Sequence, residues 1–121
     1  MRTIKFRAKH IMTGEWLYGS HYDDCGEEYI LPNLPGSAVD YEDYQVDPNT
    51  TGQFADLLDK DDNEIYEDDV IECGSRRYVC EFIDGGFEFR DLSDGRLILK
   101  AIVIHSHVIG NIHDNPELKL N

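Results

Sequence analysis

Asp59, Asp61 and Asn63 fall at positions 1, 3 and 5 of a possible calcium-binding loop, where oxygen ligands are wanted. The rest of that pattern fails. Position 6 needs glycine for its sharp turn but holds Glu64, position 12 needs a bidentate carboxylate but holds Val70, and no helical pattern flanks the loop. Asp61-Asp62-Asn63 is explained instead as a turn between two strands, because Asp and Asn bond their own backbone and tolerate left-handed conformations. His105 and His107 lie two apart on a predicted strand, so both rings face one side, as a metal site needs; His113 follows after a turn. No third ligand is identifiable, so no metal site is assigned. Nucleophile elbow, glycine-rich phosphate loop and zincin pattern are all missing, and Gly85-Gly86 reads as a hairpin turn. Carboxylates are too numerous to nominate an acid/base pair. No catalytic residue and no cofactor is assigned, and the chain is expected not to be an enzyme; a metal-dependent enzyme using His105, His107 and further carboxylates is kept as a rival.

The same acidity limits the partners. The 121 residues carry 25 acidic and 11 basic side chains, a formal net charge of −14, so a phosphate backbone is repelled over most of the surface and direct nucleic-acid binding is not expected. Twelve carboxylates and one base, Lys60, lie between Asp40 and Asp69. If they formed two phosphate-like rows, with Asp59, Asp61, Asp62 and Asp68 on the acidic surface, the chain could act as a nucleic-acid mimic that occupies a DNA-binding protein. The plainer reading puts them in turns and on solvent faces, where carboxylates usually sit.

The apolar run near Leu97 to Ile104 is interrupted by Lys100 and is far too short to span a bilayer, and the first residues lack the apolar core of a signal peptide. Cys25, Cys73 and Cys80 are odd in number and form no CxxC pair, which fits free thiols in a reducing compartment. A cytoplasmic protein is expected.

Around these residues the chain reads as short strands. From Thr3 to Lys9, Ile4, Phe6 and Ala8 alternate with Lys5, Arg7 and Lys9, as a half-buried strand requires. Met12-Thr13-Gly14 is a turn, and Glu15 to Tyr22 is the antiparallel partner, with Lys9 close to Glu15. Glu28 to Leu31 reads as a short strand; Pro32, Pro35, Gly36 and Ser37 mark a loop; Tyr44 to Val46 resumes extended chain before Asp47-Pro48-Asn49 turns it. Gln53 to Leu57, Asp69 to Cys73, Arg77 to Ile83, Gly86 to Asp91, Arg96 to Lys100 and Ile102 to Gly110 then read as strands separated by glycine-bearing turns. There is no amphipathic helix. Strands at this spacing predict a small, strongly bent sheet or barrel.

Four segments resemble one family: "IKFRAKHIMTGEWLYG" (Ile4 to Gly19), "VDPNTTGQF" (Val46 to Phe54), "LLDKDDNEIYEDDVIE" (Leu57 to Glu72) and "VIGNIHDNPEL" (Val108 to Leu118). They are similar, in order and over essentially the whole chain, to the YopX-like proteins of phages and prophages of Gram-positive bacteria. The resemblance implies a small, mainly β protein with an SH3-like barrel element and no established biochemical activity. Asp56, Asp62 and Asp68 stand where that family commonly has glycine, and Asp is among the few residues that occupy such backbone positions at modest cost.

The expected architecture is mainly β and antiparallel, with an N-terminal β-hairpin subdomain over residues 1–66 and an SH3-like barrel subdomain over residues 67–121 that includes a C-terminal tail, as one compact unit. Ile65, Val70 and Ile71 point inside, Tyr66 covers the barrel's mouth, and "VIGNI" closes the barrel. The expected role is a protein-interaction module in the bacterial host cytoplasm, with Trp16, Tyr18 and Tyr22 as candidate partner surface. Its partner would be a host or phage protein, and an exposed edge strand leaves homo-oligomers open.

Overall fold

A computed structural model describes residues 4–32 and 40–119; Pro35, Gly36 and Ser37 of the expected loop lie outside the described residues. The chain is mainly β and antiparallel, and it divides into two compact units, residues 1–54 and 55–121.

In the first unit β1 (Phe6–Lys9), β2 (Trp16–Asp24), β3 (Glu27–Leu31) and β4 (Gln45–Val46) pair in the order β4-β3-β2-β1, and the start of β5 (Gly52–Leu58) pairs on the other side of β1. The β1–β2 register sets Ala8 against Leu17 and Lys9 against Trp16, one residue beyond the expected Glu15, whose carbonyl instead accepts the His10 amide at 2.7 Å. Ala8, Ile30 and Val46 are buried together, with Phe6 and Leu17 packed on them. The opposite face of β1 is not the solvated basic stripe that alternation suggests. Arg7 is buried, and its guanidinium lies 4.5 Å from the Trp16 ring centre, with the Lys9 ammonium at 5.5 Å. Indole faces attract cations, so both stems fold onto Trp16, which is half-buried beneath them.

In the second unit β7 (Asp69–Cys73), β8 (Arg76–Ile83), β9 (Gly86–Asp91), β10 (Leu97–Ile98) and β11 (His107–Asn111) form an antiparallel sheet ordered β10-β9-β8-β7-β11. Among the described residues its pairings run from β10 to β11 as an open sheet, without closing into the expected SH3-like barrel. The "VIGNI" segment contributes β11, which pairs with β7 through a bulge between Val108 and Gly110. Alternation along β8 and β9 turns Tyr78, Cys80, Phe87 and Phe89 inward, where they meet Ala55, Ile65, Ile71 and Val103. Burying a side chain such as Phe89 or Ile71 contributes about 1.5–3 kcal/mol each. Ile65, Val70 and Ile71 are all fully buried, and Tyr66 is buried as well rather than set at an opening.

Two expectations change here. The chain divides between Phe54 and Ala55, not after Tyr66: Ala55 and Ile65 belong to the second core, and β6 (Glu64–Tyr66) precedes β7 as a strand of its own. A tight turn at Glu67-Asp68 separates them, held by the Asp69 carboxylate, which accepts the Tyr66 amide at 2.7 Å. The apolar run Ile102 to Ile104 is not strand but part of a 3-10 turn, Lys100–His105. The Ser106 amide and hydroxyl both bond the Val103 carbonyl, at 3.0 and 2.6 Å, so the turn closes on itself and buries Val103 alone.

Candidate functional site

The hairpin of β2 and β3 turns on Cys25-Gly26, with φ of 54° and 89°. Two successive left-handed residues make the two-residue turn whose twist matches the flanking strands. That turn fixes the register, and the register sets Tyr22 directly opposite Tyr29. A 3-10 turn, Tyr41–Tyr44, then brings Tyr41 to the same place; Asp40 caps it by accepting the Glu42 amide at 3.2 Å. Tyr22 and Tyr41 stack, with ring centres 5.6 Å apart and planes 20° from parallel, and Tyr29 lies 6.0 and 6.1 Å from them.

These rings border a surface cavity of about 340 Å³, whose remaining lining is Asp24, Asp40 and Glu42. Tyr22 and Tyr41 are about half exposed, whereas Tyr29 is buried and donates its phenol to Glu27 at 2.9 Å. That hydrogen bond, then burial, then the negative charges of Glu27, Asp24 and Glu42 push the Tyr29 phenol above its ordinary value. The site therefore presents planar aromatic faces inside a negative field. It offers no nucleophile–base pair and no phosphate cradle.

Of the candidate surface Trp16, Tyr18 and Tyr22, only Tyr22 joins this cluster. Tyr18 is exposed and stands opposite Arg7, and Trp16 is the half-buried platform for Arg7 and Lys9. Tyr29, Tyr41, Asp24, Asp40 and Glu42 were missed. Tyr29 was within reach of sequence reasoning, since a two-residue turn ending in Gly26 pairs it with Tyr22; nothing local places Tyr41.

The candidate acidic surface does not form one face. Asp59 is buried, and its carboxylate accepts four N–H groups: the amides of Asp61, Asn63 and Val108 at 2.9, 2.9 and 2.8 Å, and the Asn63 side chain at 3.1 Å. Burial alone would raise its pKa, but these bonds outweigh burial and hold it below the ordinary 3.8. The loop is thus a turn tied to β11. Asp68 meets His113 at 2.9 Å and Asp61 meets His107 at 2.7 Å, so only Asp62 of the four carries no such tie. His105 lies in the 3-10 turn and His107 opens β11, so they do not share a strand face. Among the described residues no group of three or more His, Cys, Asp or Glu could hold a metal ion, and no helix is long and apolar enough to cross a membrane.

A second cavity, of about 330 Å³, is lined by Glu72, Ser75, Arg76, Arg77 and Ser93. Its arginines are already neutralised, Arg76 by Asp91 at 2.7 Å and Arg77 by Glu72 at 3.1 Å.

No protein with a curated description matches the chain. The crystal structure of protein EF1440 from Enterococcus faecalis superimposes with a TM-score of 0.67 at 23% identity, covering 98% of this chain and 99% of that one, which shows a shared fold. The YopX protein family matches residues 2–119, nearly the full length, and with its motifs from Ile4 to Leu118 in order the chain belongs to that family.

Proposed function

We propose that this chain is a phage or prophage accessory protein that works in the bacterial cytoplasm by binding another protein rather than by catalysis. Its contact surface is the face built from Tyr22, Tyr29 and Tyr41. The observation that carries the reading is the convergence of three tyrosines, two of them half exposed and stacked, around a surface cavity. Exposed aromatic rings at low side-chain entropy are what protein contacts use. A fold does not by itself carry an activity, so the reading rests on the site.

The acidic-decoy reading draws less support. Asp59, Asp68 and Asp69 are tied by hydrogen bonds within the second unit, so three of the seven carboxylates from Asp59 to Asp69 are taken up in holding the fold.

The test is co-purification from a Gram-positive host at moderate salt, with wild type and Tyr41→Ala side by side. A stoichiometric protein retained by wild type and lost from Tyr41→Ala, with the unfolding midpoint unchanged, is the expected result. A partner held equally by both proteins would remove this face from the reading. Capture that fades with salt and is lost on Asp61→Asn and Asp62→Asn would favour the decoy.

A further inference from the structure

We propose that the tyrosine cavity receives an arginine side chain of the partner protein, its guanidinium stacked on an exposed tyrosine ring and hydrogen bonded to the carboxylates at the rim. This rests on the preceding reading of the face as a protein contact.

Charge complementarity selects a cation. Asp24, Asp40 and Glu42 line the cavity, and the chain has no Lys or Arg from His10 to Asp59, so this surface has no basic residue of its own from that long stretch. The Tyr29 phenol, raised first by its hydrogen bond to Glu27 and by burial, is raised further by the charges of Asp24 and Glu42. An anion is repelled there, and a purely apolar anchor would desolvate three carboxylates without compensation.

Shape narrows the cation further. Tyr22 and Tyr41 lie nearly parallel, so the pair presents flat faces and not a closed ring of walls around a point charge. A guanidinium is planar, weakly hydrated, and carries its N–H donors in its own plane. It can lie on a ring while its edge reaches carboxylates beside that ring. A lysine ammonium is a compact, strongly hydrated charge that gains less from a flat surface. The Asp40 carboxylate is held by its cap on the 3-10 turn, so one rim acceptor is already oriented. A cavity of about 340 Å³ has room for one arginine side chain.

The experiment is an NMR titration of the full chain with N-acetyl-arginine methylamide, and in parallel with its lysine and citrulline counterparts, following the tyrosine ring signals. The expected result is a saturable shift confined to Tyr22, Tyr29 and Tyr41. Lysine should bind about fivefold more weakly, because its compact, strongly hydrated ammonium gains less from a flat ring and has no planar edge of donors for the rim carboxylates, and neutral citrulline should give no saturable shift. Tyr41→Ala and Glu42→Gln should each weaken the arginine probe several-fold without moving the unfolding midpoint. Equal binding of lysine and arginine, an unaltered response in Tyr41→Ala, or no saturation at the solubility limit of the probe would each overturn the proposal. If the probe fails while Tyr41→Ala still loses the captured protein, the contact face stands and only its arginine is wrong. If capture ignores Tyr41→Ala, the reading of the face itself falls.

Discussion

Asp59 lies in the most acidic stretch of the chain and is held there by attraction, since four N–H donors converge on one carboxylate. Removing a buried acceptor that serves four part-buried N–H donors costs more than removing an exposed charge. Asp59→Ala should lose about 2–3 kcal/mol in urea unfolding, whereas Asp62→Asn, which removes an exposed charge and keeps a residue tolerant of the left-handed backbone, should stay within about 0.5 kcal/mol. Equal small effects would mean that water replaces the carboxylate. Asp91 works similarly on β9. The Ser93 hydroxyl and amide and the Arg76 guanidinium lower its pKa from 3.8 to about 2. An acid depressed in the folded state contributes stability that is fully present above pH 3.8 and is lost as pH falls toward 2. Thermal midpoints of wild type should therefore drop through that interval more steeply than those of Asp91→Asn, and parallel curves would contradict the assignment. The sequence located the acidic turn but could not single out Asp59 from its six acidic neighbours. What distinguishes it is the Val108 amide, supplied by a strand 49 residues away.

At the scale of elements, Asp56, Asp62 and Asp68 have φ of 59°, 64° and 74°, the left-handed positions inferred from glycine in their family. Ordinary L-residues pay about 1–2 kcal/mol there, Asp somewhat less, and glycine essentially nothing. Asp62→Gly should accordingly raise stability by about 0.5–1 kcal/mol. Asp68→Gly should gain less, because it also removes the partner of His113. A larger gain for Asp68→Gly in denaturant melts would show that its backbone strain outweighs that contact. Hairpins were legible in the sequence because period-two alternation and glycine turns are local signals: β7 and β9 fall on the expected residues. Ile102 to Ile104 misled because β-branched residues suit a strand, while the bonds from Ser106 to Val103 decide for a 3-10 turn. For the tyrosine site, Tyr22 and its strand were legible. Tyr41 was not, because it arrives through a short turn that no alternation announces.

Over the whole molecule the acidic excess is shared: residues 1–54 hold nine acidic and four basic side chains, residues 55–121 sixteen and seven. The four bases of the first unit all precede His10, and Arg7 and Lys9 lie on Trp16, so the negative field at the tyrosine site follows from where bases are missing as much as from where acids stand. The strand order of the second unit has a consequence in time. β7, β8, β9 and β10 are neighbours in sequence and in space, joined by short turns, and such local contacts form early. β11 pairs with β7 across the three intervening strands, and closing so long a loop delays its arrival. Until then β7 is an open edge able to pair with another chain. In folding kinetics, weakening the β8–β9 hairpin should slow folding, whereas weakening β11 at Val108 should chiefly speed unfolding; the reverse pattern in the two arms of the chevron would place β11 in the nucleus. The carboxylates of Asp59 to Asp69, just ahead of that edge, then act while the chain is still incomplete: like charges on two partly folded copies keep their unfinished sheets apart until each has its own last strand.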